Sequence, residues 1–203
     1  MVKKSSSQRW LQEHFSDPYV KKAQQMGYRS RAVYKLIELQ ERDRLFKSGM
    51  TIVELGAAPG SWSQVMKKWV GDRGKIIALD LLAMDPIEGV EFIQGDFSSD
   101  IIFEALLSRI QTIKVDWVVS DMAPNLSGIS SVDQPRAMAL AELALDFAIR
   151  ILKKEGGFLI KLFQGEGFDS FLKTVRQHFT KVTIRKPKAS RDRSSEVYIV
   201  ARK

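Results

Sequence analysis

The sequence predicts a doubly wound α/β domain, and three observations carry that prediction. Segments of strand and helix character alternate from Thr51 to the end of the chain. The strand segments are continuous apolar runs, such as "KIIALD" and "VDWVVSD", as expected of a sheet covered by helices on both faces. A loop of small residues from Gly56 to Gly60 follows the first run and opens a helical pattern, and sheets of this kind hold their ligands there.

The elements follow in order. Residues 1 to about 17 are polar with scattered aromatics and carry the weakest structural signal. From Ser30 to Phe46, apolar Ala32, Val33, Leu36, Ile37 and Leu45 recur at helical spacing, with Ser30 as the expected N-cap. "TIVELG" is the first strand, "SWSQVMKKWV" a helix and "GDRG" a turn. "KIIALD" and "VEFIQGD" are the second and third strands, and "DIIFEALLSRI" is a helix. "VDWVVSD" is the fourth strand, followed by a long helix from about Asp133 to Lys154 that Gly156 and Gly157 should close. "GFLIKLF" is the fifth strand, "FDSFLKTVRQHF" a helix, "KVTIRKP" the sixth strand and "EVYIVARK" the seventh. Only "KASRDRSS" separates the last two, too little for a helical crossover, so they should pair antiparallel.

Composition sets the bounds. The 203 residues suffice for one core and fall short of two ordinary domains. No apolar run is long enough to span a bilayer, and the N-terminal lysines have no apolar segment behind them, so a cytoplasmic protein is expected. With no cysteine, disulfides, thiolate nucleophiles and cysteine-ligated metals are excluded. The two histidines, His14 and His178, lie far apart, and no metal site is expected. A net charge of +8 points to a polyanionic partner. The basic residues cluster at Lys3, Lys4 and Arg9, at Lys21, Lys22, Arg29 and Arg31, and between Arg185 and Arg193. Trp10, Tyr19 and Tyr28 are interleaved with the first two groups, as expected where bases stack. Residues 1–29 are therefore read as a basic segment facing a polyanionic partner and 30–203 as a single domain.

The loop "ELGAAPGSW" narrows the ligand. A dinucleotide site wants three glycines and free N–H groups for a pyrophosphate, but the loop has only Gly56 and Gly60, and Pro59 lacks an N–H. That disfavours a nicotinamide dehydrogenase and favours a ligand without phosphate, for which S-adenosylmethionine is suited. Asp80, about twenty residues past the loop, is placed to accept both ribose hydroxyls. Asp96, after the third strand, is placed to meet the adenine amine. Each alone is more often a strand-end residue than a ligand; together with the loop they form a set.

The acceptor follows by elimination. Enzymes that methylate base amines usually show a proline-proline-aromatic motif after the fourth strand, where this chain has Met122-Ala123-Pro124-Asn125. Carbon-5 methylation of pyrimidines in RNA typically uses a cysteine adduct. An oxygen acceptor remains, and a ribose 2′-hydroxyl must be aligned and relieved of its proton. Lys161 interrupts the apolar "GFLIKLF". Lost hydration would weaken its hold on a proton, whereas pairing with carboxylates would strengthen it. Both "general base" and "orients the hydroxyl" stay open.

The constellation Lys35, Asp121, Lys161 and Glu196 resembles the K-D-K-E tetrad of RNA ribose 2′-O-methyltransferases. Around it, "SRAVYKL", "ELGAAPGSWSQV", "LLAMDP", "GDF", "DMAPNLSG" and "RDRSSEVYIVA" resemble the bacterial FtsJ/RrmJ family from about Ser30 to the C-terminus. The resemblance implies a Rossmann-like S-adenosylmethionine-dependent methyltransferase fold, a mostly parallel seven-stranded sheet with the last strand antiparallel. It implies 2′-O-methylation of a uridine in the A-loop of 23S ribosomal RNA within the assembled large subunit; a monomer is expected. It places cofactor contacts at Gly60, Trp62, Asp80, Asp96 and Asp121, and makes Lys161 the central catalytic residue, supported by Lys35, Asp121 and Glu196. A 2′-O-methyltransferase of transfer RNA or of a messenger cap, and an RNA-binding ribosome-assembly factor, are the rival readings.

Overall fold

Seven strands form one sheet in the order β3-β2-β1-β4-β5-β7-β6 in a computed structural model that describes residues 16–110, 114–125, 127–191 and 193–203. They are β1 (Thr51–Leu55), β2 (Lys75–Asp80), β3 (Val90–Gln94), β4 (Val115–Ser120), β5 (Leu152–Phe163), β6 (Lys181–Arg185) and β7 (Glu196–Arg202). The first five are parallel, and β7 runs antiparallel to both β5 and β6. The expected mostly parallel seven-stranded sheet with an antiparallel last strand is the observed one.

Strand residues alternate between two cores, and this explains the unbroken apolar runs. On one face, Val53, Leu55, Val118, Phe158 and Ile160 pack with α4 (Asp100–Ile110), α5 (Ser130–Ile151) and α6 (Phe168–His178). On the other, Ile52, Trp117, Val119 and Tyr198 pack with α1 (Pro18–Gln25), α2 (Val33–Asp43) and α3 (Ser61–Val70). The functional side chains described below belong to this second face.

Several boundaries differ from expectation. The sequence reading gave no helix to 18–25, yet Asp17 caps α1 by accepting from the Tyr19 N–H at 2.9 Å, with Pro18 at its start. α1 buries Val20 and Ala23. Ser30 is not the N-cap of α2; that position is Ala32, and the Ser30 hydroxyl accepts from the Ala32 N–H and donates to Ser61. α2 stops at Arg44, in the left-handed region at φ 48°, so Leu45 and Phe46 are buried beyond the helix rather than on it. β3 ends at Gln94, where the Gly95 N–H makes the last ladder bond, to the Asp80 carbonyl.

The long helix is shifted toward the N-terminus, spanning Ser130 to Ile151 instead of Asp133 to Lys154. Asp133 does not start it. Its carboxylate accepts from the Ser127 and Gly128 N–H groups and so holds the turn before the helix. Gly156 and Gly157 do not close it, because β5 begins at Leu152 and includes both. Gly157 pairs with Trp117 in the ladder, and an added Cβ would meet that indole ring at 2.4 Å. The glycine makes room for a core tryptophan; it does not end a helix.

Candidate active site

The parallel sheet reverses its strand order at β1 and β4, and the small-residue loop leaves the carboxyl end of β1 at that point. Gly56 has φ +78°, and a Cβ there would meet the Met122 backbone nitrogen at 2.7 Å. Only glycine lets the loop lie this close to the segment after β4. The Asp121 N–H donates to the Leu55 carbonyl at 3.0 Å, which fastens that segment to the end of β1. Gly60 caps α3, whose first turn presents N–H groups without intrahelical acceptors.

Along this edge the strand order lays out the side chains in a line. Asp96 follows β3, Asp80 ends β2, the loop leaves β1, Asp121 follows β4 and Lys161 lies on β5. Asp80 accepts from the Ala58 N–H and the Leu82 N–H, each at 2.8 Å, so it positions the loop. Each carboxylate oxygen has two lone pairs, so both keep capacity for a ligand hydroxyl. Asp96 is exposed, and one of its oxygens accepts the Ser98 hydroxyl at 2.7 Å and N–H at 2.9 Å. Those two bonds, the hydroxyl's first, hold its carboxyl below the usual range. Trp62 is 2% exposed, and its indole N–H donates to the Ala32 carbonyl. Its side chain therefore belongs to the core, and what it offers the edge is its backbone N–H at the second position of α3.

The four residues of the tetrad form two ion pairs. Lys161 Nζ lies 2.5 Å from the Asp121 carbonyl and 3.0 Å from Asp121 Oδ1, with 9% of the lysine side chain exposed. Lys35, on α2, reaches Glu196 Oε1 and Oε2 at 2.7 Å each. Tyr198 links the pairs, donating its hydroxyl to Asp121 Oδ1 at 3.1 Å while Lys35 Nζ lies 5.9 Å from its ring centroid. Burial first, then the charges of Asp121 and Glu196, push the Tyr198 hydroxyl well above its ordinary range and keep it a neutral donor.

Tyr198 was not singled out from the sequence. Its signal was register: two residues after Glu196, on β7, it stands directly opposite Lys161 on β5. Glu54 was missed as well, although it is a lone charge inside "TIVEL". It sits on the tetrad's face of the sheet, one pleat below Gly56, fully buried, and accepts the Ser63 hydroxyl. Burial pushes its carboxyl up to about 8, Ser63 opposes this, and the charges of Asp121 and Asp80 add to it. A neutral acid under the loop leaves Asp80 and Asp121 as the local anions. Arg29, noted only as part of a basic cluster, donates to the carbonyls of Pro59, Asp85 and Pro86 and straps the loop to the segment after β2.

A cleft of about 460 Å³ opens beside the second pair, walled by Arg31, Lys35, Arg191, Arg193 and Glu196. It adjoins a second hollow that adds Tyr19 and Lys188. Arg31 of one basic cluster and Lys188, Arg191 and Arg193 of the other, remote in sequence, thus share one surface. Lys3, Lys4, Arg9 and Trp10, read with them from the sequence, lie outside the described residues.

Comparison with known proteins agrees with this geometry. The family profile described as FtsJ-like methyltransferase matches residues 28–203. A protein of Pseudomonas aeruginosa named ribosomal RNA large subunit methyltransferase E is 60% identical over 202 residues, covering 100% of this chain and 98% of its own. One of the same name from Cellvibrio japonicus is 58% identical, with 100% and 96% covered. Among solved structures, a ribosomal RNA methyltransferase from Plasmodium falciparum superposes with a TM-score of 0.76 at 30% identity, over 86% of this chain and 97% of that one. An rRNA methylase from Clostridium thermocellum, at 18% identity and a TM-score of 0.58, shares the fold. The chain is an enzyme of the FtsJ-like methyltransferase family.

Proposed function

We propose that the protein transfers a methyl group from S-adenosylmethionine to the ribose 2′-hydroxyl of a uridine in large-subunit ribosomal RNA, the A-loop of 23S RNA in the assembled subunit. The observation that carries this reading is Lys161 clamped by Asp121 beside the loop, with a basic cleft at its side. The names of the relatives at 60% and 58% identity support ribosomal RNA as the substrate class. The substrate within the assembled subunit rests on the resemblance of the motifs.

The edge fits the cofactor in linear order. Asp96 would take the adenine amine, Asp80 the ribose hydroxyls, and the loop with the Trp62 N–H the amino-acid end; Asp121 would lie toward the sulfonium. When bound, the cofactor supplies an electrophilic methyl carbon. The chain's own residues do the rest. Lys35 and the arginines beside it hold the ribose and its phosphate against the cleft wall. Lys161 donates to the Asp121 carbonyl and to its carboxylate, which fixes the lysine nitrogen beside the target hydroxyl, to orient it or to take its proton. Tyr198 holds Asp121, and through it Lys161, in one orientation.

In the same reading, residues 1–29 form an RNA-contacting segment on the methyltransferase domain 30–203. Tyr19 in the wall of the second hollow supports this. The enzyme would act as a cytoplasmic monomer. Among the described residues no helix is long and apolar enough to cross a membrane.

The test is transfer of labelled methyl to assembled large subunits from cells lacking the enzyme, to free ribosomal RNA and to transfer RNA, with nucleoside analysis. Label as 2′-O-methyluridine in subunits is expected. Label only in transfer RNA would keep the chemistry and overturn the substrate. Cofactor binding with no transfer would favour an assembly factor.

A further inference from the structure

The loop between β6 and β7 carries the basic cluster of the C-terminal end and also reaches the tetrad. We propose that Ser190 is a positioning residue for Glu196, through which this loop sets Lys35 for the reaction; the inference rests on the RNA 2′-O-methyltransferase reading above.

Ser190 is 4% exposed, and its hydroxyl donates to Glu196 Oε1 at 2.8 Å. Glu196 is itself buried and has Lys35 on both oxygens. A buried carboxylate held by one flexible lysine alone keeps rotational freedom about its terminal torsions. The serine removes that freedom, and with it the freedom of the lysine.

The loop is tied to α2 where it makes this bond. The Glu38 carboxylate accepts from the N–H groups of Lys188 at 2.6 Å and Ala189 at 2.9 Å. Arg31 donates to the Ala189 carbonyl, and the Ala189 side chain is fully buried. Glu38 and Lys35 lie three apart on α2, hence on the same side of the helix. One helical turn thus grips the loop through Glu38 and meets Glu196 through Lys35, and Ser190 closes the ring.

The outer side of the same segment faces the substrate. Arg191, the next residue, and Arg193 line the cleft that Lys35 and Glu196 also line. Arg31, paired with Asp17, is pulled below its ordinary range by burial and then by the charge of Arg191, against the raising charge of Glu196, so two guanidiniums share one wall. An RNA phosphodiester would add a counter-charge on the Arg191 side of that wall. Docking of the phosphate on this wall is therefore joined covalently, through the peptide bond from Arg191 to Ser190, to the hydrogen bond that orders Glu196.

Steady-state kinetics and lysine NMR on the full chain test this. Ser190→Ala should lower kcat about ten- to a hundredfold, the range for a lost hydrogen bond to a charged group, with the RNA KM and cofactor Kd unchanged within about twofold. Ser190→Thr keeps the hydroxyl and should restore the rate. In a Glu196→Ala background, adding Ser190→Ala should cost nothing further. Wild-type rate in Ser190→Ala, a loss confined to KM, failure of threonine to restore a folded variant, or additive losses would each overturn the proposal. The lysine Cε spectrum reads the pair without turnover: the Lys35 resonance, assigned by its loss in Lys35→Arg, should move in Ser190→Ala and stay in Ser190→Thr. An unmoved resonance overturns the positioning role, whereas wild-type protein that methylates no RNA defeats the underlying reading instead.

Discussion

Glu54→Gln isolates the energetic cost of a charge under the ligand loop. The Glu54 carboxyl is pushed from its ordinary 4.5 up to about 8, chiefly by burial. The folded protein therefore holds a proton that the unfolded chain releases, and stability falls as pH rises between those values. It is highest below about pH 4.5 and level above about pH 8. At about 1.4 kcal/mol per decade, the full window amounts to about 5 kcal/mol, of which about 3 kcal/mol is already lost near pH 7. Glutamine keeps the volume and an acceptor for the Ser63 hydroxyl and cannot ionise. Urea unfolding of both proteins at matched pH gives the difference, in which the other titrating groups cancel. Glutamine should gain on the wild type by about 4 kcal/mol from about pH 5 to about pH 9, at constant m-value. A difference flat within about 1 kcal/mol over that range would refute the neutral-acid assignment.

Other outcomes follow from the same geometry. Lys161→Ala should lower methyl transfer by about 10²- to 10⁴-fold and leave cofactor affinity and the unfolding midpoint close to wild type; a variant keeping most of its rate would remove Lys161 from the chemistry. RNA affinity should fall steeply with salt, by roughly 0.7 to 0.9 of a decade per decade of salt for each phosphate held, and a flat response would dismiss the Arg31–Arg191–Arg193 cleft as the docking surface. Gly56→Ala puts a Cβ against the Met122 backbone at a positive φ. It should weaken cofactor binding measured by calorimetry at least about tenfold and cost stability; unchanged affinity would show that the loop does not hold the cofactor.

Local patterning in the chain was enough to determine the sheet and most of its helices. Apolar runs and helical periods are encoded within about four residues, and the strand ends named the loop, Asp80 and Asp96. The tetrad was legible only by resemblance, since Lys35 and Glu196 are 161 positions apart and nothing local couples them. Element ends were decided by contacts the local pattern does not contain: Trp117 claimed the space over Gly157, and Asp133 turned back to the preceding turn. The surroundings of Glu54, Ser190 and Tyr198 were decided by tertiary structure alone. Burial raises the first, a loop from another strand pair supplies the second, and the register of β5 against β7 sets the third opposite Lys161. Each depends on which strands are neighbours, and strand order is settled by closing long loops and burying two faces at once, a property of the whole chain.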